Sequence, residues 1–175
     1  MMPRRSFIRS ALLGAAGLAA MPAVLAQEHR PSLWIADSEP GVAFAIQLLA
    51  RNCGFEQVHI FECKRTAIRH LQTVATKPTL LVTDYWSGQM RGSEFIRLAR
   101  DASPATKVIL FSAVVGNLTV WTAVAGPNAP RPHAIVEKPS ARKLMATLCQ
   151  MRSHLDFETA RPSHVNLCAA GMAKV

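Results

Sequence analysis

The sequence predicts an α/β fold, a doubly wound five-stranded parallel sheet in a three-layer α/β/α sandwich. From residue 32 onward, short apolar runs alternate five times with amphipathic stretches, which is the pattern of consecutive strand–helix units. The apolar runs are nearly continuous, as expected for strands covered on both faces of a parallel sheet. Half of the 175 residues are hydrophobic, so the chain can build a full core around one such sheet.

Each predicted strand is followed by a predicted helix. The strands are expected at 33–37, 58–62, 79–83, 107–111 and 134–136. The first helix has Pro40 in its first turn and stops at Gly54, and the third is capped by Ser93. The fifth opens at Pro139 and Ser140. The second and fourth helices are expected at 66–73 and 118–124.

Polar residues stand where four of these strands end. They are Asp37, Asp84, Ser112 and Lys138. Because the carboxyl ends of parallel strands meet at one edge of the sheet, where such folds bind ligands, these side chains are expected to form one site. A carboxylate at the end of a buried strand, such as Asp84, is costly unless a cation or hydrogen-bond donors meet it. An aspartate that only caps the following loop is the alternative for Asp84 alone, and the other three residues together argue against it.

Four segments carry a resemblance to a known family. They are Ile35-Ala36-Asp37-Ser38-Glu39-Pro40, Thr83-Asp84 with Met90 and Gly92 downstream, Phe111-Ser112-Ala113, and Glu137-Lys138-Pro139. Over residues 32–153 the chain resembles the receiver domain of bacterial two-component response regulators. The resemblance implies a flavodoxin-like fold with strand order 2-1-3-4-5. Residues 154–175 are expected to form a short C-terminal tail.

The resemblance implies that Asp84 accepts a phosphoryl group from a histidine kinase or a phosphotransfer protein. Lys138 is then expected to pair with the phosphoryl oxygens, and Ser112 to hydrogen-bond the same group. Ala113 is small enough to leave room for that group. Family members usually have a cis peptide bond before the proline that matches Pro139.

A magnesium ion is the cofactor that the resemblance implies, because the carboxylate nucleophile needs its charge neutralised. The implied ligands are Asp84, the backbone carbonyl of Trp86 and the acidic pair near Asp37. Ser38 stands where the family has the second acid of that pair, so weaker magnesium binding is expected. Glu39 is a candidate substitute one position further along, although such a shift usually changes where a side chain points.

Further departures from the family pattern bear on signalling. Ile135 stands where the family has an aromatic switch residue, so signalling by rotation of an aromatic ring is not expected. The segment from Ser112 to Lys138 is long and proline-rich, and Gly88 replaces the customary loop proline. Trp86 is bulky beside the predicted site, and it either shields an acyl phosphate from water or packs on the surface.

The leading hypothesis is a single-domain response regulator, not an enzyme, that signals by binding an unidentified downstream protein. The alternative is a pseudo-receiver that keeps the fold and binds its partner without phosphate. A phosphatase or hydrolase is disfavoured, because no second acid follows Asp84 at the spacing such enzymes need and no GxSxG motif is present. Nucleic-acid binding is disfavoured as well: the formal charge of +9 is scattered, and the 20 residues after Leu155 cannot form a DNA-binding domain.

Residues 1–26 read as an export signal. The segment Arg4-Arg5-Ser6-Phe7-Ile8-Arg9 resembles the twin-arginine motif, an uncharged stretch follows it, and cleavage is expected after Ala26. The stretch is too short for stable membrane insertion, and Pro22 interrupts it. Alternatively, translation starts at Met21 and the protein is cytoplasmic. The phosphorylation chemistry slightly favours the cytoplasm, because histidine kinases depend on cytoplasmic ATP.

The four cysteines show no CxxC spacing, so metal clusters and thioredoxin-type chemistry are not expected. Cys53 and Cys63 flank the second predicted strand, which holds them roughly 15 Å or more apart, too far for a disulfide. Cys53, Cys63, Cys149 and Cys168 are therefore interpreted as small hydrophobic residues, which favours a reducing compartment.

Overall fold

The computed structural model describes residues 30–87 and 90–160 of the chain. Its strands are β1 (Ser32–Ala36), β2 (Gln57–Phe61), β3 (Leu80–Thr83), β4 (Trp86–Ser87), β5 (Met90–Arg91), β6 (Lys107–Ser112) and β7 (Ala134–Glu137). Its helices are α1 (Pro40–Asn52), α2 (Lys64–Thr73), α3 (Gly92–Ala102), α4 (Leu118–Ala125) and α5 (Ala141–Ala160). The five predicted strands all form, each within one residue of its expected bounds.

The main sheet runs in the order β2-β1-β3-β6-β7, and its neighbouring strands are all parallel. β4 and β5 lie outside this sheet and pair with each other as a short antiparallel ribbon between β3 and α3, which was not predicted. The parallel strands, taken alone, therefore follow the order 2-1-3-4-5, and the predicted doubly wound fold is confirmed. The order reverses between β1 and β3, where ligand sites of such folds lie.

Alternate residues of the central strands pack on opposite faces of the sheet. Trp34 and Leu81 belong to a core cluster built with α2, α3 and α4, whereas Leu33 and Val82 belong to a second cluster built with α1 and α5. Each fully buried large side chain of this kind contributes roughly 1.5–3 kcal/mol to folding. The strand ends that carry the polar residues are thus held by cores on both sides.

The ends of the helices agree with the sequence in part. Pro40 is the first residue of α1, and Gly54, just beyond its end, has a φ of 87° that favours glycine. α5 continues to Ala160, beyond the expected domain limit at residue 153. No helix among residues 30–87 and 90–160 is long and apolar enough to cross a membrane. The predicted export signal lies outside the described residues.

The prediction that Ser93 caps the third helix is wrong. α3 begins at Gly92, and the preceding residue, Arg91, makes no side-chain cap. The chain enters α3 directly from β5, and the N–H of Gly92 donates to the carbonyl oxygen of Tyr85 at 2.8 Å. A Cβ atom on Gly92 would lie only 3.0 Å from the Cα of Tyr85. This close approach across the base of the ribbon, and not a capping hydroxyl, sets the start of the helix.

The interpretation of all four cysteines as small hydrophobic residues is wrong for two of them. Cys53 and Cys149 form a disulfide, with their Cα atoms 4.8 Å apart. Cys53 follows α1 and Cys149 lies in α5, and these helices pack side by side on one face of the sheet. The two cysteines are 96 positions apart in the sequence, so local spacing gave no sign of this pairing. Cys63 is free and exposed, and Cys168 lies outside the described residues.

Candidate functional site

Three carboxylates converge at the carboxyl edge of the sheet. Asp37 follows β1, Asp84 follows β3, and Glu39 precedes α1. Carboxylate oxygens of the three residues all lie within 4.8 Å of one another. β1 and β3 are neighbours in the sheet, with Ala36 opposite Thr83, so the register itself brings Asp37 beside Asp84. We call Asp37, Glu39 and Asp84 the acidic cluster.

Asp84 is buried, with 7% of its surface exposed. Its Oδ1 accepts a hydrogen bond from the backbone N–H of Tyr85 at 2.6 Å. Its Oδ2 lies 3.6 Å from the Nζ of Lys138. The carboxylate that is costly at a strand end therefore has both a donor and a cation, as its position in the sequence requires.

Lys138 supplies the positive charge of the cluster. Its Nζ donates to Oδ2 of Asp37 at 3.0 Å and lies 3.6 Å from Oε1 of Glu39. Burial lowers the pKa of Lys138, but the hydrogen bond to Asp37 and the charges of the acidic cluster outweigh burial and raise that pKa above its ordinary value. The ammonium group therefore stays charged. The peptide bond between Lys138 and Pro139 is cis, as the resemblance implied.

Glu39 reaches the cluster although it lies one position beyond the expected acid. The N–H of Glu39 donates to Oδ1 of Asp37 at 2.9 Å, and the backbone at Glu39 is extended. The chain bends at Ser38, and the hydrogen bond from the N–H of Glu39 to the Asp37 carboxylate closes this turn, so the two carboxylates lie near each other. Ser38, between them, is exposed. Glu39, the candidate substitute for the missing acid, therefore lies in the cluster.

Ser112 ends β6, between β3 and β7, and is fully buried. Its hydroxyl oxygen accepts from the N–H of Val114 at 3.2 Å, and its carbonyl oxygen accepts from the N–H of Lys138 at 3.0 Å. The backbone thus ties Ser112 to Lys138. Ala113, next to it, is exposed, so no large side chain at this position fills the space over the strand ends.

Trp86 is half exposed and packs on the ribbon that carries it. Its ring meets Tyr85 edge to face, with centroids 5.4 Å apart, and the guanidinium of Arg91 lies 5.3 Å from its centre. The Trp86 backbone lies two residues after Asp84 and begins β4. Gly88, which stands where the family usually has a loop proline, lies outside the described residues.

Lys64, the first residue of α2, also lies at the site and was not predicted there. Its side chain is almost fully buried, and its Nζ donates to the carbonyl oxygens of Tyr85 and Met90, both at 3.1 Å. Burial lowers the pKa of Lys64 to about 8, although the charges of Asp84 and Asp37 oppose this shift. A lysine at a helix N-terminus faces the positive end of the helix dipole, and this mismatch is the signal that could have identified it.

Tyr85 was also missed. Its hydroxyl donates to the carbonyl oxygen of Val124 in α4 at 3.1 Å, and its ring packs edge to face on Trp121. The residue next to Asp84 thus contacts the helix that follows β6. Tyr85 follows Asp84 just beyond the end of an apolar run, where an aromatic residue also fits ordinary packing, so the sequence gives no signal for this contact.

The acidic cluster fits a magnesium ion. Mg²⁺ prefers oxygen ligands, and one or two carboxylates with waters usually hold it. Three convergent carboxylates facing one lysine leave net negative charge for a divalent cation. Glu39 adds a carboxylate that a serine at position 38 cannot provide. The cluster therefore has three carboxylates, the number in the family pattern.

Among known proteins, the chain is similar to solved structures. No family model matches the chain, and no curated protein matches it. A response regulator receiver domain protein from Methanospirillum hungatei JF-1, described as CheY-like, is 18% identical with a TM-score of 0.59, covering 73% of this chain and 98% of that one. A response regulator receiver protein from Sinorhizobium medicae WSM419 is 23% identical with a TM-score of 0.56, covering 70% and 94%.

A third solved structure agrees with these two. The signal receiver domain of an HD domain-containing protein from Pseudomonas fluorescens Pf-5 is 19% identical with a TM-score of 0.60, covering 73% of this chain and 98% of that one. Likeness at this level of identity concerns the fold, and the match runs over almost the whole length of each receiver domain. Together with the strand order and the converging strand ends, it shows that this chain has the fold of CheY-like response regulator receiver domains.

Proposed function

We propose that the chain is a single-domain response regulator that accepts a phosphoryl group on Asp84 and signals by binding a partner protein. The observation that carries this proposal is the placement of Lys138, whose ammonium group lies between Asp37 and Asp84 at the carboxyl edge of a receiver fold. A buried carboxylate beside a fixed cation is suited to attack an anionic phosphoryl group, because the cation reduces the repulsion between them.

In the proposed reaction, an Asp84 oxygen forms a bond to phosphorus and the bond between phosphorus and the donor breaks, which leaves an acyl phosphate. Lys138 pairs with the phosphoryl oxygens, and the hydroxyl of Ser112 donates to the same group. Asp37, Asp84, Glu39 and the Trp86 carbonyl would hold Mg²⁺, which supplies charge neutralisation when bound. The proposed donor is a histidine kinase or a phosphotransfer protein.

A phosphodonor assay tests this proposal. The purified protein, incubated with Mg²⁺ and acetyl phosphate, is expected to gain the mass of one phosphoryl group. Asp84→Asn is expected to abolish the gain, because an amide is not a nucleophile for phosphorus. Asp101→Asn is the matched control, since Asp101 is an exposed aspartate on α3 paired with Arg97. Absence of labelling in the wild type, or equal labelling in Asp84→Asn, contradicts the proposal.

A second candidate is a pseudo-receiver that binds its partner without phosphate, and the disulfide between Cys53 and Cys149 favours it. Disulfides persist in oxidising compartments, where a kinase that depends on cytoplasmic ATP cannot act. Ile135 in place of an aromatic switch residue points the same way. For this candidate, Asp84→Asn leaves partner binding and signalling intact; a clear loss of either rules it out.

The compartment separates the two candidates. Export with cleavage after Ala26 fits the pseudo-receiver, whereas a start at Met21 fits the response regulator. The N-terminal peptide of the native protein distinguishes them: Gln27 as the first residue indicates export, and Met21 or Pro22 indicates a cytoplasmic protein.

A further inference from the structure

Lys64 lies beneath the loop that carries Asp84. Only 1% of Lys64 is exposed, and its ammonium group donates to two backbone carbonyls, of Tyr85 and of Met90, each at 3.1 Å. Tyr85 directly follows Asp84, and Met90 begins β5. The two carbonyls therefore belong to the two sides of the ribbon base, and one side chain from α2 joins them.

The same base is closed by the backbone. The carbonyl oxygen of Tyr85 accepts a second hydrogen bond, from the N–H of Gly92 at 2.8 Å. The Tyr85 N–H donates to Asp84, so the peptide unit on one side of Tyr85 contacts the carboxylate and the one on the other side contacts Lys64. Any shift of the Tyr85 backbone would therefore move the carboxylate of Asp84 and the adjacent carbonyl of Trp86.

Lys64 occupies an unfavourable position. It begins a helix, where the dipole disfavours cations, and burial of an ammonium group carries a large desolvation penalty. The attraction of Asp84 and Asp37 offsets part of that penalty. An apolar residue would avoid this penalty but would leave the carbonyl oxygen of Met90 without its donor from Lys64.

We propose that Lys64 is a positioning residue for the loop that carries Asp84. Its ammonium group joins the two sides of the ribbon base and adds a positive charge beside the acidic cluster. The loop is then fixed before a metal ion or a phosphodonor arrives. The consequence for phosphorylation rests on the proposed function of Asp84, whereas the consequences for loop order and cation binding do not.

Lys64→Met tests whether the ammonium group of Lys64 holds the two sides of the ribbon base together, because methionine fills the apolar path of the side chain but carries no ammonium group. Lys77→Met is the matched control: Lys77 also donates to two backbone carbonyls, those of Leu71 and Val74, at the other end of α2. Amide hydrogen exchange at Tyr85 and Gly92 is expected to rise about tenfold in Lys64→Met and to stay unchanged in Lys77→Met. Unchanged exchange at both amides in Lys64→Met overturns the proposal.

Magnesium titration by calorimetry provides a readout that a packing role would not move. Removing one positive charge near the acidic cluster is expected to tighten Mg²⁺ binding about threefold or more. With saturating Mg²⁺, labelling by acetyl phosphate is nevertheless expected to slow about tenfold, because the loop is loosened. Mg²⁺ binding that is unchanged or weaker in Lys64→Met contradicts the proposal that Lys64 adds a positive charge beside the acidic cluster.

Lys64→Gln covers the case in which Lys64→Met does not fold. Glutamine keeps polar N–H donors without the charge, so it is expected to tighten Mg²⁺ binding as Lys64→Met does while loosening the loop less. Mg²⁺ binding as in the wild type overturns the proposal here as well. If wild-type protein is not labelled at all, the proposed function of Asp84 fails, and the exchange and calorimetry results still decide the role of Lys64.

Discussion

Glu39 and Asp37 lie on either side of a bend at Ser38, and this local geometry gives the acidic cluster its third carboxylate. The sequence pattern of the family places the second acid at Ser38, directly after Asp37. Here the chain bends at Ser38 before Pro40 begins α1, so the acid two positions after Asp37 lies in the cluster in place of the adjacent residue. The chain thus has three carboxylates for a divalent-cation site, although Ser38 stands where the family has the second acid.

Glu39→Gln is expected to weaken Mg²⁺ binding about five- to tenfold, because one of three carboxylate charges is lost. Protein stability should change little, since the side chain is mostly exposed. Calorimetric titration of Mg²⁺ measures the effect. Glu56→Gln serves as the control, because Glu56 is an exposed glutamate that precedes β2, at the opposite edge of the sheet. Equal affinities for Glu39→Gln and the wild type would remove Glu39 from the site.

Lys138→Met is expected to lower the free energy of unfolding by about 3 kcal/mol, because Asp37 is left buried without its cation. The double variant Lys138→Met/Asp37→Asn should recover much of this loss. Urea denaturation at pH 7 measures both. The raised pKa of Lys138 means that its contribution is complete below the pKa of about 10.4 of an unfolded lysine, and is lost only as the pH rises through the still higher folded pKa. Additive effects of the two substitutions would contradict the pairing.

At the scale of elements, the short loop between β3 and β4 connects the site to α4. Tyr85 ends the loop after β3, and its hydroxyl bonds to the last turn of α4. The aromatic switch position of the family is Ile135, which packs partly buried against the same core cluster as Tyr85. The contact between Tyr85 and α4 joins the residue after Asp84 to a surface helix without involving β7.

Tyr85→Phe is expected to lower the free energy of unfolding by about 1 kcal/mol, the usual contribution of one hydrogen bond. Amide exchange at Gly126, whose N–H donates to Thr122 in the last turn of α4, should rise in this variant. Thr122→Val is the control for stability, because it removes the hydroxyl bond to Leu118 within α4 and does not touch the loop. Unchanged exchange at Gly126 in Tyr85→Phe would show that the loop does not hold the end of the helix.

His133, the residue before β7, is hydrogen-bonded to β6. Nδ1 of His133 accepts a hydrogen bond from the N–H of Val108 at 2.9 Å, which requires an unprotonated nitrogen. Burial, together with the charges of Arg100 and Lys107, lowers the pKa of His133. Because the folded pKa lies below the unfolded value of about 6.5, this contribution is present above that pH and is lost as the pH falls.

The melting temperature of the wild type is therefore expected to fall more steeply between pH 7 and pH 5 than that of His133→Gln, whose amide oxygen can accept the same bond without titrating. His154→Gln, on α5, is the control and should keep the wild-type slope. Parallel curves for wild type and His133→Gln would show that His133 does not titrate with folding.

The elements differ in how far the sequence predicts them. Strand positions follow from apolar runs, and the residues that end those runs, Asp37, Asp84, Ser112 and Lys138, are predicted at one edge of the sheet by the order of the residues alone. The contact of Tyr85 with α4 and the true start of α3 could not be predicted, because both depend on how the ribbon folds back on β3. That ribbon has two residues in each strand, too few to produce a periodic pattern.

At the scale of the whole molecule, the disulfide joins the first helix to the last. It links Cys53 to Cys149 across 96 residues, so most of the sheet lies within the closed loop. Long-range pairing of this kind follows from packing of α1 against α5 and has no local signature. Because two of the cysteines form this disulfide, the cysteines no longer favour a reducing compartment.

Reduction is expected to lower the melting temperature, because closing so long a loop contributes about 4 to 5 kcal/mol in the chain-entropy model. Cys53→Ser/Cys149→Ser should show the lower melting temperature with or without reductant. Cys63→Ser, which removes the free exposed thiol, should respond to reductant as the wild type does. Equal melting temperatures for oxidised and reduced wild type would indicate that the bond contributes nothing to stability.

The closed loop also determines what happens when the backbone is cut. Asp84, Ser112 and Lys138 lie between the two bonded cysteines, whereas Asp37 and Glu39 precede both. A protease that cleaves once in the segment between α4 and β7 would therefore leave a single covalent molecule, in which the fragment with Lys138 is still joined through sulfur to the fragment with the acidic cluster. Such a nicked protein would migrate as one chain without reductant and as two fragments with it.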